Sequence, residues 1–285
     1  MNNIFYISTL GHSASSWLAM ALDMHPNITC YHGIRYSPDD PSCKEVDGGS
    51  FLEILQNKAK DNHFVGSVHG YPGTHIEKMI EKAGGQFATC IRNPIFRISS
   101  VYQHHYSKAM AVDKLKQREN FEEMIASFYA NNKQTVAALK KHGLLRGASI
   151  DGSPGIEGLS YTDLCFMWSV MYVTYHDFYT AQSDNHVFRM EDYTQYPEAF
   201  ADLFNRITKD QITLDTQYLS KVFNIGKINP HRKAVLTDIA EFKQWPENHQ
   251  KIFKAMIPFI GPNVLQVFYK CLGYEFVSNI INQDI

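Results

Sequence analysis

The chain has 285 residues, of which 44% are hydrophobic and 20% are charged. This composition is typical of a globular protein and excludes the disordered and fibrous classes. The formal net charge is −2, so the chain lacks the basic excess of dedicated nucleic-acid-binding proteins, and we expect no nucleic-acid partner.

The five cysteines are widely spaced and form no C-x-x-C pair, which argues against a disulfide framework and a cysteine-based zinc site. No apolar run approaches the ~20 residues that a membrane-spanning helix needs. The first apolar run, Ile4–Ile7, has no basic residues before it and is too short for a signal peptide. We therefore expect a cytoplasmic protein with no membrane partner.

Short apolar runs alternate with helical patterns along the chain, an order typical of a parallel sheet. The predicted strands are Ile4–Ser8, Ile28–Tyr31, Phe64–Val68, Gln86–Ile91 and His186–Met190. The predicted helices include Ser15–Met24, Phe51–Lys60, Gly73–Lys82, much of 94–145, and Tyr161–Ala181, with long loops over 33–50 and 147–158. We expect an α/β fold, one domain over residues 1–285, with a central, mostly parallel sheet of about five strands flanked by helices.

The loop after the first predicted strand has the composition of a phosphate-binding turn. It runs from Gly11 to Trp17 and opens the helix that begins at Ser15. Small residues let the backbone approach a phosphate, serine hydroxyls add donors, and the first amides of a helix favour an anion. The ATPase sequence G-x-x-x-x-G-K-[ST] is absent, and an ordinary strand-to-helix turn with a serine cap is the alternative.

A second cluster of polar residues follows the fourth predicted strand. Arg92 ends that strand, Pro94 suits the first helical position, and Arg97 and Ser100 lie three residues apart on one helix face. Ligands bind at the carboxyl ends of parallel strands, and a guanidinium group offers a phosphate two parallel donors. The pattern predicts a second phosphate site at Arg92 and Ser100, which Arg97 could join, although a surface ion pair is the alternative for Arg97.

Together these clusters resemble the sulfotransferases that use 3′-phosphoadenosine 5′-phosphosulfate (PAPS). The family's loop [K/R]-S-G-T-[ST]-W-L is similar to His12–Leu18, and its pattern R-[ND]-P-x-x-R-x-x-S-x-Y matches Arg92–Tyr102 at every position. Weaker similarities over residues 24–28, 187–197 and 227–233 follow in the family's order. The resemblance implies a P-loop-like fold and transfer of a sulfuryl group from PAPS to a hydroxyl or amine. The product would be 3′-phosphoadenosine 5′-phosphate (PAP), and no metal would be needed.

The resemblance also implies roles for individual residues. The first loop would bind the 5′-phosphosulfate, with Trp17 stacked on adenine, and His69 after the third strand would be the general base, because a histidine accepts a proton near neutral pH. Arg92 and Ser100 would hold the 3′-phosphate. The implied binding residues are Gly11, His12, Ser13, Ala14, Ser15, Ser16, Trp17, Arg92, Ser100, Arg232 and Lys233, and the implied catalytic residues are His69 and His12.

Three positions depart from the family pattern. His12 replaces a Lys or Arg, Ala14 replaces a Gly, and Ser67 replaces a Lys two residues before the predicted base. We hypothesise that His12, protonated beside the phosphates, stabilises the negative charge that builds on the leaving group. Ala14 is expected to take ordinary φ/ψ angles, which would give the loop a somewhat different shape.

Two other functions stay open on the sequence alone. One is a kinase-like phosphotransferase acting on nucleotides or small molecules, which the absence of a loop lysine disfavours. The other is a non-catalytic protein that binds PAPS or PAP. We expect a small-molecule or carbohydrate acceptor, because no strongly basic groove for a polyanion is evident. The spacing of His63, His69 and His75 places no ligand set on one face, so no metal site is expected. The sequence does not indicate an oligomeric state.

Overall fold

The five predicted strands pair into one sheet in the computed structural model, which describes residues 3–33, 48–59, 63–68, 74–110, 161–182, 186–226 and 237–281. The strands are β1 (Ile4–Ser8), β2 (Ile28–His32), β3 (Phe64–Val68), β4 (Gln86–Ile91) and β5 (His186–Arg189). Their order across the sheet is β2-β3-β1-β4-β5, and every neighbouring pair is parallel. The predicted α/β fold with a central parallel sheet is therefore confirmed.

Helices connect the strands and follow the last of them. In chain order they are α1 (Ser15–Asp23), α2 (Gly48–Lys58), α3 (Thr74–Lys82), α4 (Pro94–Met110), α5 (Tyr161–Ala181), α6 (Met190–Tyr193), α7 (Pro197–Thr208), α8 (Thr216–Phe223), α9 (Asp238–Gln244), α10 (Glu247–Met256), α11 (Pro262–Cys271) and α12 (Glu275–Ile281). The predicted start of α2 at Phe51 differs from the observed start at Gly48. The predicted helical residues 111–145 and the loop over 147–158 lie outside the described residues.

The three central strands, β1, β3 and β4, are buried on both faces, which explains why they are mostly apolar. From β1, Phe5 and Ile7 join a buried cluster with side chains of α1, α7 and α8. Ile4 and Tyr6 alternate with them and join a second cluster with α2 and α3. Gly66 of β3 lies beside Phe5, and a Cβ at this glycine would lie 2.3 Å from the Phe5 ring. Glycine is thus required where that aromatic ring packs over the sheet.

Residue contacts divide the chain into two compact units. The first, residues 1–92 and 184–233, contains the sheet with α1–α3 and α6–α8. In the second, residues 93–183 and 234–285, α5 packs against α4, α10 and α11. The expectation of one domain over residues 1–285 stays a prediction. Within the described ranges, no helix combines the length and apolar character that a membrane span needs.

Candidate functional site

The strand order creates a topological switch point between β1 and β4, where the connections from two neighbouring strands run in opposite directions across the sheet. β1 and β4 are neighbours, with Ser8 beside Thr89, yet β1 leads to β2 on one side of the sheet and β4 leads to β5 on the other. In open α/β sheets, ligands bind in the crevice outside the carboxyl ends of such strands. The loop over 9–14 and Arg92 follow these two strands directly, so both predicted clusters begin at this edge.

The loop after β1 contains two residues with left-handed backbone. The φ angle is 73° at His12 and 54° at Ala14. The expectation that Ala14 takes ordinary φ/ψ angles is therefore wrong. The turn into α1 imposes the geometry that a glycine would adopt without cost, and the alanine adopts it with a steric penalty.

The amino end of α1 has no side-chain cap. Ala14 is the residue at the capping position, so the alternative of a serine-capped turn is wrong. The first amides of the helix, Ser15 to Trp17, have no acceptor inside the helix. Ser13 is fully buried, and its hydroxyl makes no hydrogen bond within the described part of the chain. Uncapped amides at the amino end of a helix are groups that an anion would satisfy.

Tyr193, at the end of α6, contacts both this loop and the first turn of α1. Its hydroxyl donates to the carbonyl oxygen of Ser13 at 2.8 Å, and its ring stacks on Trp17 with 6.2 Å between centroids. Trp17 also packs against Phe200 and Phe223 and is only 8% exposed. The predicted stacking of Trp17 on adenine stays a prediction, and in this structure most of the ring belongs to the core.

Arg92 brings a cation to the same loop. Its guanidinium Nη1 donates to the carbonyl oxygen of His12 at 3.1 Å, although the two residues are 80 positions apart in sequence. A guanidinium group carries five N–H donors in a fixed plane, a geometry that suits a phosphate or sulfate as well as a carbonyl. The structure therefore joins the predicted 5′-phosphosulfate loop to the first arginine of the second motif.

His32, the last residue of β2, also contacts the loop region. Its Nε2 lies 3.1 Å from Ser15 Oγ and 3.2 Å from Ser16 Oγ. Our sequence interpretation missed this residue, because the predicted strand ended at Tyr31. The signal that could have found it is positional: the carboxyl end of any strand in a parallel sheet lies at the same edge as the loop after β1.

The second motif continues into α4, where Arg97 has a different role from the one expected. Arg97 forms an ion pair and a hydrogen bond with Asp177 of α5, and neither side chain is exposed. Burial alone would raise the pKa of Asp177, but the Arg97 guanidinium and a hydrogen bond with His176 hold that pKa below its ordinary value. Arg97 is thus neither a phosphate ligand at this edge nor part of a surface ion pair. Ser100 belongs to the second unit, so its meeting with Arg92 at one phosphate stays a prediction.

Three predicted site residues, His69, Arg232 and Lys233, lie outside the described residues. β3 ends at Val68, which is paired with Ile7 of β1 and His32 of β2. The role of His69 as a base stays a prediction, as does that of His12 as a clamp on the leaving group. Among the residues that the structure describes, no three His, Cys, Asp or Glu side chains could hold a metal ion together.

Comparison of the sequence with protein-family models and with curated proteins found no match. Among solved structures, the chain is similar to a sulfotransferase from Alicyclobacillus acidocaldarius. The identity is 15% and the TM-score 0.37, over 79% of this chain and 92% of that one. It is also similar to mouse sulfotransferase SULT7A1 complexed with PAP, with 12% identity and a TM-score of 0.41, over 99% of this chain and 88% of that one.

Proposed function

We propose that this protein is a PAPS-dependent sulfotransferase. It would transfer a sulfuryl group to a hydroxyl or amine of a small-molecule or carbohydrate acceptor in the cytoplasm. The observation that carries the proposal is the hydrogen bond from Arg92 to the carbonyl oxygen of His12. It joins the loop of the first motif to the first arginine of the second, and these motifs resemble the binding sequences for the two phosphate ends of one nucleotide.

The site is suited to an anion on independent grounds. The capping position of α1 offers no side-chain acceptor for the first amides of the helix, and Arg92 places a guanidinium group beside the loop. When bound, PAPS supplies the activated sulfuryl group. The loop amides with Ser15 and Ser16 would orient its 5′ end, while Arg92 and Ser100, with Arg232 and Lys233, would hold the 3′-phosphate.

Two histidines would have separate roles, one with the proton of the acceptor and the other with the negative charge of the leaving phosphate. His69, directly after β3, would accept the proton of the acceptor hydroxyl as that oxygen attacks sulfur in line. His12 would donate a hydrogen bond to the leaving phosphate, at the position where the family carries a cation. These roles require neutral His69 and protonated His12, so activity should fall on both sides of an optimum pH.

The first test is calorimetric titration with PAP and, separately, with ATP and Mg²⁺. We expect PAP to bind and ATP to bind much more weakly. Arg92→Ala should weaken PAP binding about 10- to 100-fold, the range for losing hydrogen bonds to a charged group. The matched control is Lys209→Ala, since Lys209 also donates to a backbone carbonyl, that of Gly84. Gly84 precedes β4, so this bond lies at the amino ends of the strands, away from the site.

Transfer of labelled sulfate from PAPS to an acceptor panel then separates the alternatives. Label on an acceptor supports the sulfotransferase. Tight PAP binding without transfer to any acceptor would favour a non-catalytic binding protein. Preference for ATP with Mg²⁺, with phosphate transfer, would favour a kinase-like enzyme and contradict the proposal.

A further inference from the structure

His32 contacts both serine hydroxyls at the start of α1 through one ring nitrogen. The distances from Nε2 to Ser15 Oγ and Ser16 Oγ are 3.1 and 3.2 Å. The position of the histidine is fixed by the sheet, because His32 is paired with Val68 of β3 and the next amide, Gly33, donates to the Val68 carbonyl oxygen. The contact therefore comes from an exposed residue at the end of a strand rather than from a side chain within the loop.

The direction of these hydrogen bonds depends on which ring nitrogen of His32 carries the hydrogen. A serine hydroxyl has one hydrogen and two acceptor positions. If Nε2 were an acceptor, the serine hydrogens would point to the ring and their oxygen lone pairs would face an incoming anion. If Nε2 carries the hydrogen, it can be shared between the two oxygens, and both serine hydrogens are released toward the anion. The nearly equal distances show that one ring nitrogen serves both hydroxyls, and the donor form is the one that leaves both serine hydrogens for an anion.

We propose that His32 is a positioning residue of the nucleotide site, which acts as an Nε2–H donor to Ser15 and Ser16 and so directs both hydroxyls at the 5′-phosphate end of the ligand. The inference rests on the proposed function, since it takes PAP or PAPS as that ligand. This role belongs to a residue of β2, outside the loop sequence. A donor behind the two hydroxyls strengthens them as donors to an anion.

The test compares two ligands that differ only in the 5′-phosphate: PAP and adenosine 3′-monophosphate. His32→Phe removes the donor and keeps a ring, and it should weaken PAP binding about 10- to 30-fold. It should leave adenosine 3′-monophosphate binding within about 2-fold, because that ligand has no group at the loop. His32→Gln places an amide donor near the Nε2 position, and it should keep PAP binding within about 3-fold of the wild-type protein.

His63→Phe is the matched control. The Nε2 of His63, directly before β3, lies 2.9 Å from the Thr29 hydroxyl of β2, so this substitution also removes a histidine–hydroxyl bond, but at the amino ends of the strands and away from the loop. Neither ligand should lose affinity. The double variant Ser15→Ala/Ser16→Ala supplies a second measurement, because adding His32→Phe to it should cause no further loss if the histidine acts through these hydroxyls.

Several outcomes would overturn the inference alone. They are unchanged PAP binding in His32→Phe, equal loss of both ligands, failure of His32→Gln to retain binding, or a further loss in the triple variant. If His32→Phe does not fold, His32→Asn replaces it, since its shorter amide does not reach the serines. Absence of PAP binding in the wild-type protein would instead contradict the proposed function, and the inference with it.

Discussion

Ala14 carries a conformational cost that its own side chain creates. Its φ and ψ angles are 54° and 28°, a region that costs an L-residue about 1–2 kcal/mol. Glycine removes this cost but loses about 0.4–1 kcal/mol through the greater freedom of the unfolded chain. We therefore expect Ala14→Gly to raise the free energy of unfolding by about 0.5–1 kcal/mol, and Ala14→Val to lower it because a β-branched residue fits this region worse.

Urea unfolding measures both changes, and Ala19→Gly is the control. Ala19 lies in the same helix, α1, but among residues of ordinary helical geometry, and it is buried. Glycine there should lower the free energy of unfolding by about 1 kcal/mol. Opposite signs at the two alanines would support the cost assigned to Ala14. A loss of stability in Ala14→Gly would show that the loop does not hold this conformation.

The loop residues themselves could be found from the sequence, but their conformations could not. Small residues after a strand indicate a tight turn, and they do so whether Ala14 is left-handed or not. Likewise, the motif spacing identifies Arg92, but the bond to His12 joins positions 80 residues apart. Contacts of this range depend on how strands are ordered in the sheet, which apolar runs do not specify.

At the level of the helices, α4, α5 and α11 meet through a buried polar group. Arg97 pairs with Asp177 with no exposure of either side chain, and Tyr269 donates to Asp177 Oδ2 at 2.9 Å. Removing one partner of a buried ion pair leaves the other charge unpaired away from water, which costs about 3–5 kcal/mol. Asp177→Asn, which keeps the shape, should therefore lower the free energy of unfolding by this amount. Tyr269→Phe should cost only about 1 kcal/mol, since it removes one hydrogen bond and no charge.

The control for this prediction is an ion pair on the surface. Glu247 accepts from Lys251 at 2.7 Å one turn along α10, and both side chains are largely exposed. Solvent screens such a pair, so Glu247→Gln should leave the urea midpoint unchanged within error. If Asp177→Asn proves as mild as Glu247→Gln, then the buried pair does not hold the three helices together.

The α4 helix shows why part of the second motif was misread. Arg97 lies in a pattern that resembles a phosphate-binding sequence, and its spacing from Ser100 correctly predicts a shared helix. Yet a charged residue inside an apolar pattern can face either a ligand or a buried counter-ion. The counter-ion here, Asp177, lies on a helix distant in sequence. Periodicity alone gave no means to pair the two.

Across the whole molecule, the alternation of apolar runs and helical patterns was enough to predict the five strands, because strands of a parallel sheet that are covered on both faces are mostly apolar. It was not enough to predict the order β2-β3-β1-β4-β5. That order places the carboxyl ends of β1, β3 and β2 side by side, and so makes His32 a neighbour of the loop. His32 was therefore accessible only from the structure, although the residues that it contacts were predicted.

Each compact unit contains a buried histidine that resists protonation. In the first unit, burial against Phe204 and Tyr218 lowers the pKa of His25, although Asp215 acts in the opposite direction. In the second, burial lowers the pKa of His176, and nearby Arg97 adds to this while Asp177 opposes it. Both side chains regain the ordinary pKa, about 6.5, when the chain unfolds.

Stability should therefore fall as the pH is lowered from 7 to 5. In this window the unfolded chain binds protons that the folded histidines do not, so the free energy of unfolding rises with pH, by at most about 1.4 kcal/mol per pH unit for each histidine. The depressed pKa of Asp177 acts only below this window, since its stabilising effect is lost as the pH falls below about 4. Urea unfolding at pH 5, 6 and 7 should show the slope, and His176→Gln should reduce it because glutamine takes up no proton on unfolding. An unchanged slope in His176→Gln would mean that the buried histidine of the second unit is not a source of the acid sensitivity.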